Sequence, residues 1–383
     1  RNQSLITELK LRASYGQVGN TSVDPYQTLG RLRRTVYALG DTPYLGFGLN
    51  EIPNSDLGWE ISSTTNLGLD FGLFNNRLSG SLEYYITHTT DILLERNLPY
   101  TSGYQNILQN IGATKTNGLE FSLNATPMDK KNFRWDIQFN ISSYKEQITD
   151  LVFKDENGNS IDDTGNQWFI GQPIRVFFDY QKIGIWQSDE VDMARQMENK
   201  FPGEIKLKDQ DGDNLITPDD RLVLGSDVPD YLGGITNRFQ IKNFDFSFFF
   251  FYRMGHMIRS RFHDSNNNLE ARYNNLNVDY WTIDNPSNEN PRPNVYQEFP
   301  RDSSTRSYFD GSFVKLRNVT LGFNLPEALA GRLAMSRLRV YASAQTPVFW
   351  STFDTWDPEL AGDIDAGSIP SARQFLFGVN VTF

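Results

Sequence analysis

Apolar and polar side chains alternate with a period of two along much of the chain, the pattern of strands whose two faces meet different surroundings. Leu9, Leu11, Ala13 and Tyr15 alternate with Lys10, Arg12, Ser14 and Gly16. Ile61, Leu67, Leu69, Phe71 and Leu73 oppose Glu60, Ser62, Thr64, Asn66 and Asp70. After Asn75-Asn76 the parity resets, with Leu78, Gly80, Leu82, Tyr84 and Ile86 on one side. Further sets are Leu119 to Ala125, Phe133 to Ile141, Ile235 to Ile241 and Phe244 to Tyr252. The last three are Val319 to Leu325, Leu338 to Ala344, and Phe375, Phe377, Val379, Val381 and Phe383. The pattern predicts about ten strands of ~10 residues, the length a tilted strand needs to cross a bilayer.

The links between these strands alternate in length. Short ones fall at Asn75-Asn76, Pro127 to Asn132, Lys242-Asn243 and Pro326 to Ser336. Long ones run from Gln17 to Leu57, His88 to Thr114, Gln147 to Asp230, Gly255 to Ser312 and Trp350 to Ala372. Short turns at one end and long loops at the other predict an all-β fold: an antiparallel, up-and-down transmembrane β-barrel segment. A sandwich, jelly roll or propeller also alternates, but would not sort its loops by end. If Leu69 faces lipid, Asp70 faces the lumen, because the period of two fixes the register.

Composition narrows the choice. Mean hydropathy is −0.50, and the longest apolar run, Phe248 to Tyr252, is far too short for a spanning helix. Barrel strands escape this test because every second side chain faces a polar lumen. The 383 residues contain no cysteine, so neither a disulfide framework nor a thiolate metal site is available. A net charge of −11 argues against nucleic acid as a partner. The chain opens at Arg1 without a targeting signal, so it reads as a fragment whose signal lies elsewhere. The strands at its two ends are then expected to want partners from a missing part.

Candidate chemistry is sparse. The only histidines, His88, His256 and His263, lack the spacing of a zinc helix. No nucleophile elbow, phosphate loop or dinucleotide glycine pattern is present, so the chain is not read as an enzyme. Loop aromatics offer flat faces for sugar rings or peptide side chains, and Trp168, Tyr180, Trp186, Trp281, Trp350 and Trp356 are the substrate-contact candidates. The competing reading packs them between loops or into an interfacial girdle. In the longest loop, the run from Asp209 to Asp220 has calcium-loop spacing. Asp209, Asp211, Asp213 and Asp220 take positions 1, 3, 5 and 12, and Leu215 is placed to offer its carbonyl at 7. Asn214 replaces the usual Gly and Asp220 the usual Glu, and the alternative is an Asx-rich turn. A structural calcium is the one cofactor this spacing suggests, and none is required.

Several stretches together resemble the SusC/RagA family of TonB-dependent outer-membrane transporters. They include Leu9 to Gly16, Leu57-Gly58-Trp59-Glu60, Asn66 to Asp70 and Phe74 to Leu78. Others are Leu108 to Gly112, Asn117 to Phe121, Lys315 to Gly322, Trp356-Asp357-Pro358-Glu359 and the terminal Phe377 to Phe383. The resemblance implies a 22-stranded barrel with a plug and TonB box, of which residues 1–383 would be the C-terminal part, lacking both. It implies long extracellular loops, short periplasmic turns and the outer membrane of a Gram-negative bacterium, with outer-membrane lipid around the strands. Implied partners are a SusD-like lipoprotein, the TonB complex through the missing N-terminal part, and an imported oligosaccharide or peptide. Phe383 resembles the C-terminal assembly signal of such barrels. A passive porin-like channel and a non-transporting surface adhesin or structural barrel remain as alternatives.

Overall fold

The computed structural model describes residues 5–20, 23, 25–30, 32–49, 52–267, 269, 276–294, 303–353, 355, 357–359, 363–364 and 372–383. Ten long strands form one sheet: β1 (Ile6–Asn20), β2 (Glu60–Leu73), β3 (Leu78–Thr90), β4 (Ala113–Lys130), β5 (Phe133–Asp150), β6 (Tyr231–Ile241), β7 (Phe244–Met254), β8 (Phe313–Asn324), β9 (Arg337–Ser351) and β10 (Gln374–Thr382). Their order in the sheet is their order in the chain, as an up-and-down antiparallel meander requires. The chain divides into two compact units, Arg1–Asn124 with Ser142–Arg175, and Ala125–Ile141 with Val176–Phe383.

In the first unit the register sorts side chains by polarity. Leu9 pairs Phe71, Leu11 pairs Leu69 and Ala13 pairs Leu67. Leu67, Leu69 and Leu73 in turn pair Tyr84, Leu82 and Leu78. One apolar face results, and it is open to its surroundings: Leu9, Leu11, Leu67, Leu82 and Tyr84 are all exposed. Lys10, Asp70 and Ser81 line up on the opposite face. Leu69 and Asp70 therefore lie on the sides their parity predicts.

The second unit repeats the arrangement. Ile235, Asn237, Phe239 and Ile241 pair Phe250, Phe248, Phe246 and Phe244. Phe244, Phe246 and Phe248 then pair Phe323, Leu321 and Val319. The row continues through Val340 and Ala342 to Val379 and Phe377. Asn237 breaks this apolar face, and it is buried there beneath Trp135. The Trp135 indole N–H donates to its side-chain oxygen at 2.9 Å, so the polar group is satisfied within the sheet. Trp135 also stacks on Phe239 at 5.6 Å, and Phe239 on Phe246 at 6.1 Å.

Two expectations need correction. The strands are 9 to 18 residues long rather than uniformly near ten. The link expected from Pro127 is strand as far as Lys130, leaving only Lys131-Asn132 as the turn. Ala113–Lys130 and Phe133–Asp150 both extend past the apolar band into polar residues, which alternation of apolar side chains does not mark. The turn after β2 carries positive φ at Phe74, Asn75 and Asn76, a conformation that Asn tolerates well.

The long connections carry structure of their own. They hold the hairpins Leu32–Leu39/Thr42–Leu49 and Leu93–Asn97/Asn106–Asn110, and the helix Val191–Glu198. They also hold short strand pairs and one three-stranded sheet, of Met257–Ser260 with Tyr308–Asp310 and Asp363–Ile364. Gly112 shows how closely such a loop is tucked against its strand. Its φ is +85°, and a Cβ there would lie 2.0 Å from the Asp150 carbonyl oxygen. Only glycine fits that position.

Candidate functional site

The polar faces of the two units carry the chemistry. In the first, the Arg12 guanidinium donates to both oxygens of Asp70 and to Glu83, each at 2.8 Å, and Asn66 donates to Glu83 at 3.1 Å. Hydroxyl pairs follow on the same face: Ser62 with Thr89, Thr64 with Thr87 and Ser81 with Ser122, all at 2.7–2.9 Å. Such a face suits contact with water, and the apolar face does not.

In the second unit Arg339 pairs with Asp245, and Thr320 bonds Ser343 at 2.9 Å. A register shift at Arg317 inverts the parity of β8. Beyond it Leu316 and Val314 join the apolar row, while Lys315 turns to the polar side. The Lys315 ammonium donates to both oxygens of Asp357 at 2.7 Å and to Glu359 at 2.6 Å. Arg317 holds the other oxygen of Glu359. Lys315 and Asp357 expose only 2% and 3% of their side chains. These four charges clip the connection between β9 and β10 onto β8. Two of the stretches behind the family resemblance thus meet in space, through Lys315 and Arg317 of one and Asp357 and Glu359 of the other, which spacing alone did not reveal.

The aromatic candidates divide. Trp168 packs with Ile111, Ile148 and Leu151 in a core of the first unit. Tyr180 and Trp281 pack with Ile185, Ile205, Leu207 and Ile216 in a core of the second. Trp186 is fully buried, its indole N–H on Glu198 at 3.1 Å and the Lys206 ammonium 4.4 Å from its ring centre. These four rings present no face to a substrate. They fill the cores that let long connections offset the entropy of being ordered. Trp350 is half exposed, but it lies beside Phe250 on the apolar face, ring centres 6.2 Å apart. That is a girdle position rather than a ligand contact. Trp356 lies outside the described residues.

The acidic loop is wrapped tightly. Asp209 accepts from the N–H groups of Gly212 and Asn214, Asp211 from that of Asp213, and Asp213 from that of Leu215. Asn214 has a φ of +64°, as the expected sixth position requires. One oxygen from each of Asp209, Asp211 and Asp213 lies within 4.8 Å of the others. The Asp213 N–H acts to lower the Asp211 carboxyl. Desolvation and the charges of Asp213 and Asp220 outweigh it and hold that group above its ordinary range. Asp220 does not fit the role of closing ligand. It is fully buried, and its two oxygens accept from Gln210 and Thr217 at 2.7 Å. Pro218 starts a turn of 3-10 helix there, and Asp220 caps it.

Of the histidines, His256 is buried against Phe313. Burial first, then the charge of Arg253, push its pKa down to about 4, so it is neutral at physiological pH. His263 bonds Ser260 at 2.8 Å. Phe383 follows β10 and is 87% exposed. No helix among the described residues is long and apolar enough to cross a membrane.

Comparison with known proteins agrees with this architecture. The model of the family described as TonB dependent receptor-like, beta-barrel, matches residues 4–192. TonB-dependent receptor P26 of Formosa agariphila is 33% identical over 402 residues, covering 100% of this chain and 40% of that protein. TonB-dependent receptor SusC of Bacteroides thetaiotaomicron is 28% identical over 394 residues, covering 100% of this chain and 38% of SusC. The solved RagAB peptide transporter matches with a TM-score of 0.79 at 25% identity, over 100% of this chain and 42% of that one. The chain spans about 40% of the length of the curated relatives it matches. Those relatives are named as receptors, and the structural match as a transporter, not as enzymes. The two-faced ten-stranded sheet and these likenesses agree: residues 4–192 match the TonB-dependent-receptor β-barrel family, and the chain is similar along its whole length to TonB-dependent receptors of the SusC and RagA kind.

Proposed function

We propose that this sheet is a sector of an outer-membrane barrel that imports oligosaccharides or peptides, working with a SusD-like surface lipoprotein and driven through TonB. The observation that supports it best is the division of one meander into an exposed apolar face and a hydrogen-bonded polar face. Lipid and a watery lumen are the surroundings that match the two. Plug and TonB box would belong to other parts of the protein. Deleting the gene should abolish uptake of a labelled oligosaccharide or peptide pool, and complementation should restore it only in cells with TonB. Uptake that persists without TonB would favour a passive channel, and uptake untouched by the deletion an adhesin or structural barrel.

A structural calcium at Asp209, Asp211 and Asp213 is the second part of the reading. Crowded carboxylates repel one another, and a hard cation with oxygen ligands relieves that repulsion. Calorimetric titration of the full-length protein with calcium should show binding that the Asp209→Ala, Asp213→Ala variant loses. The same response from both would leave the loop as a turn.

A further inference from the structure

At the short-turn end of the second unit, two turns close on one cleft. Lys131-Asn132 joins β4 to β5 and Lys242-Asn243 joins β6 to β7. The Lys242 N–H donates to the Asn132 carbonyl at 2.9 Å, which fixes the turns side by side. The cleft between them has a volume of about 450 Å³. Its lining includes Lys130, Lys131, Arg134 and Lys242 against the single carboxylate of Asp129.

Arg134 is already neutralised: it donates twice to Asp136, at 2.8 and 3.0 Å, and lies 3.8 Å from Asp129. Lys130, Lys131 and Lys242 are exposed, and none of the ion pairs among the described residues engages them. In a chain of net charge −11, three such ammonium groups around one cleft are a local reversal of sign. Directly along the strands from this cleft runs the stacked aromatic row of Trp135, Phe239 and Phe246, with Phe133 6.5 Å from Phe239. Those rings belong to the exposed apolar face. A cationic cleft above an aromatic, acyl-compatible wall is complementary to an amphipathic anion, with its phosphate among the lysines and its chains along the rings.

We propose that this cleft binds the headgroup of an anionic phospholipid in the leaflet that meets the short turns. The inference rests on the membrane-barrel reading above. Each lysine near an anionic lipid surface contributes on the order of 1 kcal/mol, or roughly fivefold in affinity. The attraction weakens with salt, as exposed charges do.

The test uses the full-length protein reconstituted in nanodiscs of phosphatidylcholine containing a minor fraction of phosphatidylglycerol. Native mass spectrometry of the released protein measures which lipid stays bound. The wild type should retain phosphatidylglycerol in preference to phosphatidylcholine. The Lys130→Gln, Lys131→Gln, Lys242→Gln variant should lose that preference, with each single substitution lowering it roughly fivefold. Lys208→Gln, a substitution of an exposed lysine in a long loop, should leave it unchanged. Equal retention by wild type and triple variant would overturn the proposal. So would loss of the preference on adding millimolar inorganic phosphate, which would make the cleft a free-phosphate site. Recovery of folded protein in the phosphatidylcholine discs reports on the barrel reading separately, so the two can fail independently.

Discussion

Replacing Lys315 with methionine in the full-length protein should release the segment 357–359 from β8 while leaving the sheet in place. The ammonium bonds both oxygens of Asp357, and both side chains are almost wholly withdrawn from solvent. Removing one partner of such a pair leaves an uncompensated buried charge, at a cost of about 3–5 kcal/mol. The least costly relief is for Asp357 to return to water, taking the connection between β9 and β10 with it. Amide exchange around Phe353 to Glu359 should therefore accelerate roughly a hundredfold to a thousandfold, with exchange in β8 and β9 little changed. Substituting Asp357→Leu on the Lys315→Met background should restore much of the protection, because neutral partners of similar bulk leave no charge unpaired. Glu359 would keep its hold on Arg317. Unaltered exchange in Lys315→Met would show that the ion cluster does not hold this segment.

Most of the sheet was legible because its register is dictated by the same alternation that can be counted along the chain. Leu69 against Leu11 and Leu82, or Phe246 against Phe239 and Leu321, are pairs that follow once each short turn is located. The bulge at Arg317 was not legible. Lys315 and Val319 have the same parity, yet the extra residue puts them on opposite faces. No periodicity argument detects a single inserted residue within an otherwise regular strand.

The loops misled for a different physical reason. Trp168, Tyr180, Trp186 and Trp281 lie in connections, where an aromatic ring is either a contact for something else or the core of the loop itself. Composition is identical in the two cases. What decides between them is whether the connection folds on itself, and here it does, with Ile185, Ile205 and Leu207 supplying the rest of the core. Asp220 misled similarly. Its spacing from Asp209 suits a twelfth ligand, but Pro218 starts a helical turn whose N-cap residue, Thr217, donates to one of its oxygens, and the Gln210 N–H takes the other.

The central claim is that one face of this sheet meets lipid and the other meets water, and labelling adjacent residues tests it most directly. The 383 residues contain no cysteine, so single cysteines can be introduced one at a time without removing native ones from this region. Ser81 and Leu82 serve in the first unit, Thr320 and Leu321 in the second, each pair being neighbours on opposite faces. Leu82 and Leu321 are already exposed in the sheet, so a label at either meets the surroundings rather than a core. In the full-length protein reconstituted in bilayers, fluorophores at Leu82→Cys and Leu321→Cys should be quenched by a lipid-soluble quencher and spared by a water-soluble one. Labels at Ser81→Cys and Thr320→Cys should show the reverse. Quenching of both members of a pair by the same reagent would contradict the account, as would a reversal of the two faces.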